Sequence, residues 1–189
     1  MSNHRPRISR LQAEAILKPW IPHLQDAFQH AWNWVEAILN QDPDRRRTLF
    51  LGTQAAMVYD RFIKLIVPMI QGVEGVELQW TGRMLRIRIG NEISLRFKKL
   101  DQKLRSGNVP TGEQDKIYYN QLFDFGNPIT SITFGYVTNP SGVGLRGLYL
   151  TCPKTYREND WMVPLQDASD GGISLFAPQP LPPTLPLPV

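Results

Sequence analysis

Leu24, Ala27, Phe28, Ala31, Val35, Ile38 and Leu39 recur at steps of three and four residues, the spacing that puts side chains on one face of an α-helix. Trp32 and Trp34 flank this stripe. Pro19 and Pro22 interrupt the helical pattern of residues 11 to 41, and proline is well accommodated only in a first turn. A break with a fresh start near Trp20 to Leu24 is therefore expected. Asp42-Pro43-Asp44 reads as a turn and a helix start, so a second long helix is predicted from about Asp44 to Ile70. Its apolar stripe is Leu49, Gly52, Ala56, Tyr59, Phe62, Ile63, Ile66 and Ile70, with Pro68 bending or shortening the last turn. The small residues Gly52, Ala55 and Ala56 predict close approach of a neighbour, and the two helices together an antiparallel helical hairpin.

Gly72 and Gly75 mark a change from helical spacing to alternation, and Val76 to Trp80 is the first predicted strand. After Thr81-Gly82, residues 83 to 99 alternate apolar and basic side chains on both sides of Gly90-Asn91, which predicts a cationic β-hairpin. A three-residue loop of Gly90, Asn91 and Glu92 sets Ile89 opposite Ile93, Ile87 opposite Leu95 and Leu85 opposite Phe97, leaving one face apolar. The other face then pairs Arg86 with Arg96 and Met84 with Lys98. A two-residue loop sets Ile89 against Glu92 and Arg86 against Leu95, so the hydrophobic pattern selects the longer one.

Loop chemistry from Arg105 to Pro110 leads into Thr111-Gly112-Glu113-Gln114, a capping-box-like start for a short helix through about Phe123. Ile129 to Val137 and Leu145 to Cys152 carry further strand signals around an Asn139-Pro140-Ser141-Gly142 turn, and Trp161 to Val163 adds a last short strand. The predicted fold is α+β: an N-terminal helical hairpin with a mainly antiparallel β-sheet of about five strands and one inserted short helix. Residues 1–175 are read as a single domain, with its helical part at about 11–71 and its sheet part at about 73–165. Residues 176–189 form a proline-rich flexible tail, because six of the last twelve residues are proline. Such a tail is either a solubilising end or a docking peptide for an aromatic groove.

Charge sharpens the picture at the hairpin. The 189-residue chain has a net charge of +4, yet residues 83 to 105 carry eight basic side chains against Glu92 and Asp101, leaving the remainder at −2. A local patch points to an acidic protein surface or nucleic acid, with a solvated sheet face as the plain alternative. Arg83, Arg86, Arg88, Arg96, Lys98, Lys99, Lys103 and Arg105 are the candidate partner- or nucleic-acid-binding residues. Like charges directly opposite one another destabilise a strand pair, so the pairing of Arg86 with Arg96 is easier to understand with an anion across it.

Other chemistry is sparse. Cys152 is the only cysteine, which rules out an intramolecular disulfide, suits a reducing cytoplasm and reads as a small buried hydrophobe in a strand. No run approaches the roughly 18 apolar residues of a membrane span. Met1-Ser2-Asn3-His4-Arg5-Pro6-Arg7 leads into no signal-peptide core, so a soluble cytoplasmic protein without membrane contact is expected. His23, Asp26 and His30 share a helix face but no fourth ligand of suitable spacing follows, and neither a metal nor a cofactor is expected. Phosphate-loop, dinucleotide and serine-elbow signatures are missing. A metal-dependent nuclease needs two or three converging carboxylates and a nearby lysine. Glu77, Glu92 and Lys98 are candidates, but Glu92 sits in the predicted turn and no E-x-K triplet occurs on the strand. No catalytic residues are assigned.

Arg96-Phe97-Lys98-Lys99-Leu100-Asp101, the run Leu104 to Thr111, Gly135-Tyr136-Val137 and Leu148 to Pro153 resemble a poorly characterised bacterial family, over roughly residues 76 to 165. Members of that family are often encoded beside a protein joining a helix-turn-helix domain to a zinc-peptidase-like domain, in pairs resembling toxin-antitoxin or phage-defence modules. The resemblance implies a protein partner encoded by a neighbouring gene and supplies no catalytic residues. Three readings follow. The first is a binding component engaging that partner through the basic face, with an exposed aromatic such as Tyr118 or Trp80 as anchor. The second is a weak, sequence-independent nucleic-acid binder, and the third a divergent metal-dependent nuclease acting as a toxin.

Overall fold

The computed structural model describes residues 8–106, 129–141, 144–155 and 158–167. The short helix expected at 111–123, Tyr118 and the proline tail lie outside them. Helix α1 (Arg10–Leu17) opens on a capping box in which the Ser9 hydroxyl accepts from the Gln12 N–H and the Gln12 side chain accepts from the Ser9 N–H. It stops before Pro19, and α2 (Ile21–Asn40) restarts with Pro22 in its first turn, as the sequence predicts.

The single helix expected from Asp44 to Ile70 is two. Helix α3 (Pro43–Thr48), capped by the Asp42 carboxylate, is separated from α4 (Leu51–Ile70) by extended backbone at Leu49 and Phe50. Side chains fix the break: the Thr48 hydroxyl donates to the Asp44 and Arg45 carbonyls, and the Gln54 amide donates to those of Arg46 and Leu49. The core face of α4 is Val58, Phe62, Ile66 and Ile70. Gly52 and Ala56, expected in the apolar stripe, are exposed, and a Cβ added at Gly52 meets nothing within 4 Å, so no close helix approach occurs there. Pro68 sits inside α4 and the helix continues to Ile70.

Among the described residues six strands, rather than about five, form one sheet in the order β1 (Val76–Thr81), β2 (Met84–Ile89), β3 (Ile93–Lys99), β4 (Thr130–Thr138), β5 (Leu145–Pro153), β6 (Asn159–Asp167). Every neighbouring pair is antiparallel except β3 and β4, which are parallel and joined by a long connection, as parallel pairing requires. The last strand extends well beyond the expected Trp161–Val163.

Helices α2 and α4 cover one face of the sheet. Leu85, Ile87, Ile93, Leu95, Phe97, Ile132, Phe134, Leu148 and Leu150 are buried with them in one core. Phe97 is its aromatic centre, stacked on Phe62 at 4.1 Å between ring centroids and ringed by Phe28, Tyr59, Phe134 and Tyr136. Cys152 is buried in β5, as its sequence context suggests. Among the described residues no helix is long and apolar enough to cross a membrane.

Candidate functional site

The hairpin register is the one the alternation selects. Ile89 pairs with Ile93, Ile87 with Leu95, Arg88 with Ser94 and Arg86 with Arg96, and Gly90 takes the left-handed backbone (φ +57°) that opens the three-residue loop. Because successive strand residues point to opposite faces, Arg86, Arg88, Arg96 and Lys98 share the face away from the helices. The sheet register extends that row from Gln79 through Arg86 and Arg96 to Thr133 and Thr151. A second row runs from Glu77 through Arg88 and Ser94 to Ser131.

This face differs from a freely solvated one. Ser94, Ser131, Thr133 and Thr151 are buried, and Arg86, Arg96 and Lys98 are half-buried. Arg88 is buried and occupied: it donates to the Glu77 carboxylate at 3.2 Å and to the Asn91 side chain at 3.5 Å. The Lys98 ammonium has the Met84 thioether at 3.5 Å as its neighbour. Burial first, and the positive charge of Arg96 second, lower the Lys98 pKa to about 8. Arg86, Arg96 and Lys98 thus form a compact cationic strip beside a bed of hydroxyls.

The other predicted site residues fall elsewhere. Lys99 points to the helix side, where it lines a small cleft with Trp32, Glu36 and Tyr136, and burial lowers its pKa. Arg105 is held by Asp101, whose carboxylate accepts from the Arg105 side chain at 2.7 and 2.8 Å and from the backbone N–H groups of Lys103 and Arg105. Burial tends to raise the Asp101 pKa, but those bonds prevail and hold it below the usual carboxylate value. Lys103 and Arg83 are exposed, in a loop and in the β1–β2 turn. Trp80 is exposed as expected but pairs with Leu85 in the helix-side row of β1, away from the cationic strip.

Three features that position the strip escape a reading of the sequence. The Tyr59 hydroxyl of α4 accepts from the Leu85 N–H at 2.7 Å and donates to the Arg83 carbonyl at 3.2 Å, clamping the start of β2. Leu100 lies over Gly135 so closely that a Cβ there meets its Cγ at 2.6 Å, placing Leu100 against Val137 and Tyr149 next to Lys98. The loop after β3 is stitched to the far strands: the Gln102 amide donates to the Thr138 carbonyl, Arg146 donates to Gln102, and Asn159 donates to the Leu104 carbonyl. Leu104 adopts φ +59° to close that loop.

The nuclease candidates are not brought together, since Glu77 is paired with Arg88 and Glu92 lies in the hairpin loop. His30 faces Asp26 at 3.4 Å on an exposed stretch of α2, and among the described residues no group of three His, Cys, Asp or Glu side chains converges. No protein-family model matches the chain, and no curated protein or solved structure is significantly similar to it.

Proposed function

We propose that this protein is a binding component that engages an acidic surface of a partner protein through Arg86, Arg96 and Lys98. Its expected setting is the cytoplasm, with the partner encoded by the neighbouring gene of a toxin-antitoxin or phage-defence pair. The observation that carries the reading is the direct opposition of Arg86 and Arg96, with Lys98 beside them so desolvated that its pKa falls to about 8. Burial disfavours the Lys98 ammonium, and a partner carboxylate laid beside it offsets that cost.

A protein partner accounts for the arrangement better than nucleic acid does. Affinity for a phosphate backbone grows with the number of phosphates neutralised. Here Arg88, Lys99 and Arg105 are directed to Glu77, the helix side and Asp101, and Arg83 and Lys103 lie in separate loops, so the cluster does not line up as a track. Co-purification with the neighbouring gene's product tests the reading. A complex that survives at micromolar concentrations is expected. Its absence, together with retardation of DNA or RNA that collapses as salt rises, gives the site to nucleic acid instead.

A further inference from the structure

Among the described residues the sheet ends at β1 on one side and β6 on the other, and the two edge strands are finished differently. Strand β6 carries Pro164, which lacks a backbone N–H, and its pairing with β5 shifts register between Leu148 and Tyr149 and again between Cys152 and Pro153. Both features blunt an edge against adding another strand. Strand β1 has neither. It pairs with β2 without interruption from Val76 to Thr81 and contains no proline, lysine or arginine. Among the described residues no strand lies on its outer side, and Glu77, Trp80 and Thr81 are exposed, Trp80 at 54%.

We infer that β1 is a homodimer interface, pairing antiparallel with β1 of a second copy so that the two sheets join edge to edge. The strand is self-complementary in the way such pairing demands. Side chains brought opposite one another must lie on the same face, so only registers pairing positions an even number of residues apart are allowed. With Leu78 on the two-fold axis, Trp80 meets Val76 and Glu77 meets Gln79, which keeps Val76, Leu78 and Trp80 in one continuous apolar row across the junction. Moving the axis to Glu77 apposes two carboxylates. Moving it to Gln79 removes Val76 from the contact.

The inference is independent of the partner proposed above. A five-residue strand pair is smaller than a standard interface, so a weak dimer is expected, populated at about 100 micromolar chain. Sedimentation equilibrium on the full chain should show the mass rising toward twice that of the monomer over this range, and Trp80→Lys, at an exposed position, should keep the protein folded but monomeric. Oxidised Leu78→Cys should form a disulfide dimer at least about tenfold faster than Gln79→Cys, because only the former brings two sulfurs within bonding reach. Buried Cys152 leaves the wild type without a competing cross-link. A wild type that stays monomeric at about 500 micromolar, well above the expected midpoint, overturns the inference. So does association that Trp80→Lys leaves unchanged, or cross-linking through Gln79→Cys in place of Leu78→Cys.

Discussion

Arg86 and Arg96 stand directly opposite each other across β2 and β3, on the sheet face turned away from the helices. Reversing one charge, as in Arg96→Glu, puts a carboxylate in the strip and should cost roughly 1 to 3 kcal/mol of partner affinity while the variant stays folded. Thermal melts and binding isotherms of the same preparation check both halves.

Phe97 belongs to the opposite side of the same strand. Its ring is buried and stacked on Phe62, so Phe97→Ala should cost roughly 3 to 5 kcal/mol through the cavity it leaves. Urea unfolding with an unchanged m-value measures it.

Lys98 makes stability depend on alkaline pH. Its folded pKa of about 8 lies below the ordinary 10.5, so between these values the unfolded chain holds more protons than the folded one. Stability therefore carries the full penalty below about pH 8 and recovers as pH rises toward 10.5. Lys98→Met should stabilise the protein by about 1 kcal/mol at pH 7 after discounting for solvent screening. That advantage should shrink at pH 10 in parallel unfolding curves.

Tyr59 ties α4 to the hairpin through one hydroxyl. Tyr59→Phe keeps the ring against Phe97 but removes the acceptor of the part-buried Leu85 N–H, at a cost of about 1 to 2 kcal/mol, while water can take over the exposed Arg83 carbonyl. Faster amide hydrogen exchange at Leu85 than in the wild type is the expected local signature.

Gly135→Ala drives a methyl into Leu100. Because the contact involves Cγ as well as a terminal methyl carbon, the side chain must move as a whole, and a loss of about 1 to 3 kcal/mol follows. The double variant Gly135→Ala, Leu100→Ala should recover part of the overpacking cost in a double-mutant cycle.

The hairpin was legible because period-two alternation and a glycine turn specify both register and face, down to the pairing of Arg86 with Arg96. The break between α3 and α4 was not, since it depends on how the Thr48 and Gln54 side chains fold back on carbonyls, with no proline or glycine at Leu49 and Phe50 to mark it. Strand β6 was underestimated because Pro164 argues against a strand unless that strand is an edge. Within the basic cluster, strand parity alone separates Lys99 from Arg96 and Lys98, a signal present in the sequence itself. The pairing of Glu77 with Arg88 depends on the β1–β2 register, whereas that of Arg105 with Asp101 is local to one loop and carries no distinctive pattern.

Whether the Arg86, Arg96 and Lys98 strip is the partner contact is decided by titration calorimetry against the neighbouring gene's product. A dissociation constant in the micromolar range or tighter is expected at pH 7, with affinity weakened roughly 5- to 150-fold by Arg96→Glu and falling off as pH rises through about 8, where Lys98 loses its charge. No heat of binding at tens of micromolar, or equal affinity for the wild type and Arg96→Glu, contradicts it.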